Sequence, residues 1–146
     1  MSSSRAFDPA SPIELRQHFK VASQSPLTTM VPATVGTSGM VDRLQSGSIL
    51  ALASDVSGRT PMRFLGRELM GSFGAARIAT ETNSPVVLVT SHPGENGLPR
   101  LQVHEPLEPS AYAEPADLLA DMMRIHEGPV LAWPEAFDGP YTRLSQ

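Results

Sequence analysis

Residues 47–90, GSILALASDVSGRTPMRFLGRELMGSFGAARIATETNSPVVLVT, decide the fold because they set two apolar runs around a polar stretch and a small-residue helix. Ile49–Ala53 and Val86–Val89 are apolar without alternation, the pattern of strands covered on both faces in a parallel sheet. Between them, Ser72 can cap a helix from Phe73 to about Thr82, and Asn83 with Pro85 ends it. Gly74, Ala75, Ala76 and Ala79 let that helix lie close to the sheet. The expected unit is strand, polar loop, helix, strand.

Working outward, Val31–Val35 reads as a short strand. Ser38 can cap a helix running to Ser46, with Met40, Val41 and Leu44 on one face and Gly47 at the stop position. Downstream, the Gly94-Glu95-Asn96-Gly97 cluster supplies residues that tolerate positive φ, so Leu98–His104 is expected to return as an antiparallel neighbour. A last helix is predicted from Pro115 to about His126, with Leu118, Met122 and Ile125 on its buried face and Gly128 ending it. Trp133 is expected to anchor the chain's end by burying its indole. Residues 1–12 read as a solvated tail, Ile13–Val21 as a short helix, and 13–146 as one domain. The fold class is α/β, with a mixed, largely parallel sheet flanked by helices.

Composition narrows the function. Charged residues are 18% and hydrophobic ones 40%, which places the chain among globular proteins and away from intrinsically disordered ones. A net charge of −4 opposes a general grip on phosphate backbones, so nucleic acid is excluded as a partner. With no cysteine there is neither disulfide nor thiolate ligand, and cytoplasm is the default location. No apolar run approaches the length that spans a bilayer, so any membrane contact is expected to be peripheral, at the inner face.

Asp55 directly follows the first apolar run, at the carboxyl end of a strand, where ligands collect in open α/β sheets. It can equally cap the turn SDVSG through its own backbone. Arg59, Arg63 and Arg67 recur every four residues and can receive phosphate groups through their planar donor forks, or stand solvated beside acids such as Glu68. Phe64 with Leu65 reads as apolar packing beneath them. The four histidines show no metal-ligand spacing, so no metal site is expected. His126-Glu127 allows an acid–base pair or a helix cap, and the cap is favoured. No Gly-x-Ser-x-Gly nucleophile turn and no phosphate-binding glycine loop is present.

The order MVDRLQSGSILALASD, RFLGREL, GSFGAARIATETNSP, VVLVT and LQVHEPLEP resembles the lysophospholipid acyltransferase superfamily, in its lipid-A and mannoside acyltransferase branch. The resemblance covers about residues 30–138 and corresponds to the C-terminal half of that fold. It implies a substrate-facing loop of Asp55, Ser57, Arg59, Arg63, Phe64, Gly66 and Arg67. It also implies a membrane glycolipid as acceptor and acyl-coenzyme A or acyl-carrier protein as acyl donor, with no resident cofactor. The family's catalytic His-x-x-x-x-Asp motif is absent: His18 meets Ser23 five residues on, His92 meets Gly97, His104 meets Pro109 and His126 meets Leu131. A hydroxyl is a weak nucleophile unless a base takes its proton, so no catalytic residue is assigned. The expectation is therefore an acyltransferase-related chain without its own dyad, completed by a partner chain or a second copy. The alternative is a non-enzymatic module that docks a protein or lipid surface.

Overall fold

A computed structural model describes residues 31, 33–53, 57–95 and 98–134. The expected tail, the helix at Ile13–Val21 and Asp55 lie outside the described residues. Contacts divide the chain into two units, Met1–Gly36 and Thr37–Gln146. In the first, Ala33–Val35 is a 3₁₀ turn rather than the expected strand. Gly36 follows it at φ +66°, a left-handed conformation that breaks an extended run.

In the second unit, helices and strands are both present, and the strands form two antiparallel pairs. Helix α1 is Gly36–Gln45. It starts before Ser38 and stops where expected: Gly47 takes φ +86°, its N–H donates to the Leu44 carbonyl, and the Ser48 N–H donates to that of Arg43. Those two bonds form a Schellman ending, which satisfies carbonyls the helix leaves open. Residues 48–53 carry no strand assignment, contrary to expectation. Ile49 is 97% exposed. A strand needs a paired neighbour, and among the described residues no backbone hydrogen bond links 48–53 to the Val86–Thr90 run. The largely parallel sheet expected from the two apolar runs is accordingly not seen: every described pairing is antiparallel.

The polar stretch holds an unforeseen hairpin. Strand β1 (Ser57–Phe64) pairs with β2 (Arg67–Gly71) through a two-residue turn, Leu65-Gly66, with φ +50° and +74°. Positive φ at both central residues marks the primed turn whose twist suits a hairpin. Thr60, Met62 and Phe64 point inward and Arg59, Pro61 and Arg63 outward, as the pleat requires. Gly58 and Gly71 lie where the register slips, and there a Cβ on Gly58 would strike the Gly71 carbonyl while one on Gly71 would strike the Met62 thioether.

Helix α2 (Gly74–Thr82) meets its expected ends. The Ser72 hydroxyl accepts from the Gly74 N–H at 3.3 Å, and Asn83 closes a second Schellman ending in the left-handed region. Strand β3 (Val89–Pro93) pairs with β4 (Pro99–Val103) as predicted, and Val86 bridges to Leu107 beyond it. Helix α3 (Pro115–Ala132) begins at the foreseen proline but runs past Gly128 and through Pro129. Burial explains this: Pro129 and Val130 are fully enclosed, so packing outweighs the helix penalties of glycine and proline. The core joins Met62 and Phe64 of β1, Ala76 and Ala79 of α2, Leu88, and Leu118, Leu119, Met122, Met123 and Val130 of α3.

Candidate functional site

An apolar cleft of about 200 Å³ opens along one edge of the Pro85–Thr90 run. The hydrogen-bonding pattern explains why that edge is available. Val86 exchanges both backbone bonds with Leu107, and the Leu88 carbonyl accepts from the His104 N–H at 3.0 Å. In an antiparallel pair, alternate residues turn their peptide groups the other way, so Val87 and Val89 direct theirs towards the cleft. The walls come from Leu44 of α1, Leu50 and Leu52, Ala75 and Ile78 of α2, and Met122 and His126 of α3. Its polar side chains are Ser84, Thr90 and His126. Small Ala75 and Ala79 keep the space open, since a longer side chain there would fill it.

At one end, Thr90 is only 4% exposed and its hydroxyl is shared by two imidazoles. His92 Nε2 lies 2.8 Å from Thr90 Oγ1 and His104 Nε2 lies 2.7 Å from it, with ring centroids 6.5 Å apart. The β3–β4 register creates this cluster: Leu88 stands opposite His104 and Thr90 opposite Gln102, so the three side chains share one sheet face. No spacing rule along the chain would find it, because His92 and His104 meet only across the turn. The signal for it lies in the register of the β3–β4 hairpin. Among the described residues no group of three or more acidic, histidine or cysteine ligands assembles, so two imidazoles and a hydroxyl are what this corner offers.

His126 of the cleft wall is stacked by Phe64, with centroids 5.7 Å apart and planes at 28°. Neighbouring Glu127 accepts the Leu65 N–H at 2.6 Å. That carboxylate holds the positive-φ turn of the first hairpin onto α3, a structural use of the His126-Glu127 pair. Near the start of α3, the Tyr112 hydroxyl donates to Asp121 at 3.0 Å and Arg124 pairs with the same carboxylate at 3.2 Å. Accepting the Tyr112 bond, together with the Arg124 contacts, holds Asp121 below the usual carboxylate range. Burial, then the Asp121 contact, raises the Tyr112 phenol.

The residues expected to form a substrate-facing loop are dispersed. Ser57 opens β1, and Asp55 is outside the described residues. Arg59 and Arg63 are exposed on the outer face of the first hairpin, Arg67 is exposed on the opposite pleat, and Gly66 forms the turn. Phe64 is a core residue at 1% exposure. The three arginines therefore present no common fork to one phosphate, and Glu68 stands directly opposite Arg63 in the ladder. Arg59, Arg63, Phe64, Gly66 and Arg67 do not line the apolar cleft. No helix among the described residues is long and apolar enough to cross a membrane. No family model matches the chain, and no curated protein matches it.

Proposed function

We propose that this chain holds the acyl chain of a lipid-like ligand in the cleft along the Pro85–Thr90 edge, as a domain related to the glycolipid acyltransferases but without their catalytic dyad. The observation that carries this reading is the lining of the cleft, whose side chains are mostly aliphatic, with Ser84, Thr90, His126 and the peptide edge of the Pro85–Thr90 run as its polar groups, a mixture that suits an acyl chain with a polar end. Membership of that family is part of the proposal, resting on the motif order of residues 30–138.

Calorimetric titration with fatty acids of increasing length tests this. Affinity is expected to rise with each methylene by a few-fold, then level off when the cleft is filled. The Ala75→Leu variant, checked for an unchanged fold by circular dichroism, is expected to weaken binding at least about tenfold, the cost of losing roughly two methylenes of space. Length-independent binding, or binding indifferent to Ala75→Leu, contradicts the reading.

A second reading is favoured by one specific observation. Val89, Leu101 and Val103 are all more than half exposed on the outer face of the β3–β4 hairpin. Such a face suits docking to a protein or lipid surface, or to a second copy of the chain. Light scattering across a concentration series and co-sedimentation with anionic vesicles test it. A monomer without vesicle affinity counts against it.

A further inference from the structure

We infer that Thr90 is an acyl-accepting nucleophile, with His92 and His104 as its proton-handling pair. The inference rests on the acyl-holding reading of the cleft, because Thr90 sits on the cleft wall.

The argument begins with counting protons. A threonine hydroxyl has one hydrogen and two lone pairs. Thr90 Oγ1 lies within hydrogen-bond distance of two imidazole Nε2 atoms. It can donate to only one of them, so the other imidazole must donate its Nε2–H to the hydroxyl oxygen. One lone pair is then engaged and one remains. The accepting imidazole is placed to take the proton as that remaining pair attacks, which is the nucleophile and base arrangement of covalent catalysis. The donating imidazole fixes the rotamer of the hydroxyl. A residue needed only for packing at this position would be served by valine, which is isosteric and leaves no hydroxyl to satisfy.

The step balances with an activated acyl donor, a thioester or ester of a medium-chain acid. The Thr90 Oγ attacks the acyl carbon, and a new Oγ–C bond forms. The hydroxyl proton passes to the accepting Nε2. The C–S or C–O bond of the donor breaks, and its electron pair leaves on the thiolate or alkoxide, which recovers the proton from the imidazolium. The product is an acyl ester on Thr90 and a free thiol or alcohol. No oxidant or reductant is involved.

The test is incubation of the full chain with p-nitrophenyl octanoate, followed by intact-mass and peptide mass spectrometry. Octanoate binding is measured separately by calorimetry. One octanoyl adduct is expected, mapped to Thr90 and released by hydroxylamine. Thr90→Val, with its melting curve recorded to show that it folds, is expected to carry none. His104→Gln and His92→Gln are each tested, and the variant lacking the base is expected to acylate about 100-fold more slowly, in the range a general base contributes. Octanoate binding without an adduct on Thr90 overturns the inference and leaves the cleft reading standing. An adduct elsewhere that persists in Thr90→Val also overturns it. Absence of both binding and adduct overturns both readings. An adduct on Thr90 whose rate ignores chain length supports the nucleophile and contradicts the acyl-holding cleft.

Discussion

The two hairpins use the same pleated geometry to opposite ends. In the first, Met62 and Phe64 face inward into the core, the outer face carries arginines and a proline, and Glu127 pins the turn to α3. In the second, the inward face carries a threonine and two histidines, while the outward face is aliphatic and exposed. The first hairpin therefore follows the ordinary rule of apolar inside and polar outside. The second inverts part of it. Buried polar groups and exposed apolar ones are the informative exceptions to that rule, which is why the functional proposals fall on β3 and β4 rather than on the arginine-bearing strands.

If that contrast holds, substitutions at matched positions should separate. Phe64→Ala removes a fully enclosed ring from the first hairpin and is expected to cost about 3 to 5 kcal/mol of stability, whereas Leu101→Thr on the second should stay within about 0.5 kcal/mol. Urea unfolding of the two variants measures the difference, and equal losses would erase the distinction between the faces. Gly71→Ala, which drives a methyl group against the Met62 thioether, should cost about 1 to 3 kcal/mol in the same assay. Glu127→Gln keeps an acceptor for the Leu65 N–H but loses the charge, so about 1 kcal/mol is expected. A loss confined to the first hairpin, seen as faster amide exchange at residues 64–68, would sharpen the assignment of Glu127 as its clasp.

The smallest effect expected is at Asp121. Its folded pKa is depressed, so its contribution is present above its ordinary value of 3.8 and disappears as pH falls through the lower folded value. Tyr112→Phe removes the principal cause, and the acid limb of the stability curve should flatten slightly, by well under about 1 kcal/mol because the pair is solvent-screened. Tyr112 itself is raised, so its contribution is complete below its ordinary value of 10.0 and fades as pH climbs through the higher folded value. An unchanged acid limb in Tyr112→Phe would remove this pair from the account.

Much of the helical architecture was legible because its punctuation is local. Gly47 and Asn83 stop their helices by adopting positive φ, and Pro115 starts one where its missing N–H costs nothing. The hairpin at 89–103 was legible from its glycine-rich turn. The hairpin at 57–71 was not, because its turn places leucine where asparagine is the usual signal, and the compensation for Leu65 comes from Glu127, 62 residues away. Continuous apolar runs misled at 48–53, since such a run states that burial is wanted without stating which partner supplies it. The arginine spacing shows the same dependence on context: a strand's period of two keeps positions four apart on one face, but the two-residue turn at Leu65-Gly66 pairs Arg67 with Phe64 and so puts it on the face opposite Arg59 and Arg63. The Thr90 cluster depends on cross-strand register, which no single segment encodes.

The most direct measurement is a methyl NMR titration of the chain, labelled at isoleucine, leucine and valine, with octanoate. The account predicts saturable shifts at Leu50, Leu52, Ile78, Val87 and Leu88, with Leu101 and Val103 unmoved. Shifts centred on Leu101 and Val103 with a silent cleft, or no saturable shift at all, would contradict it.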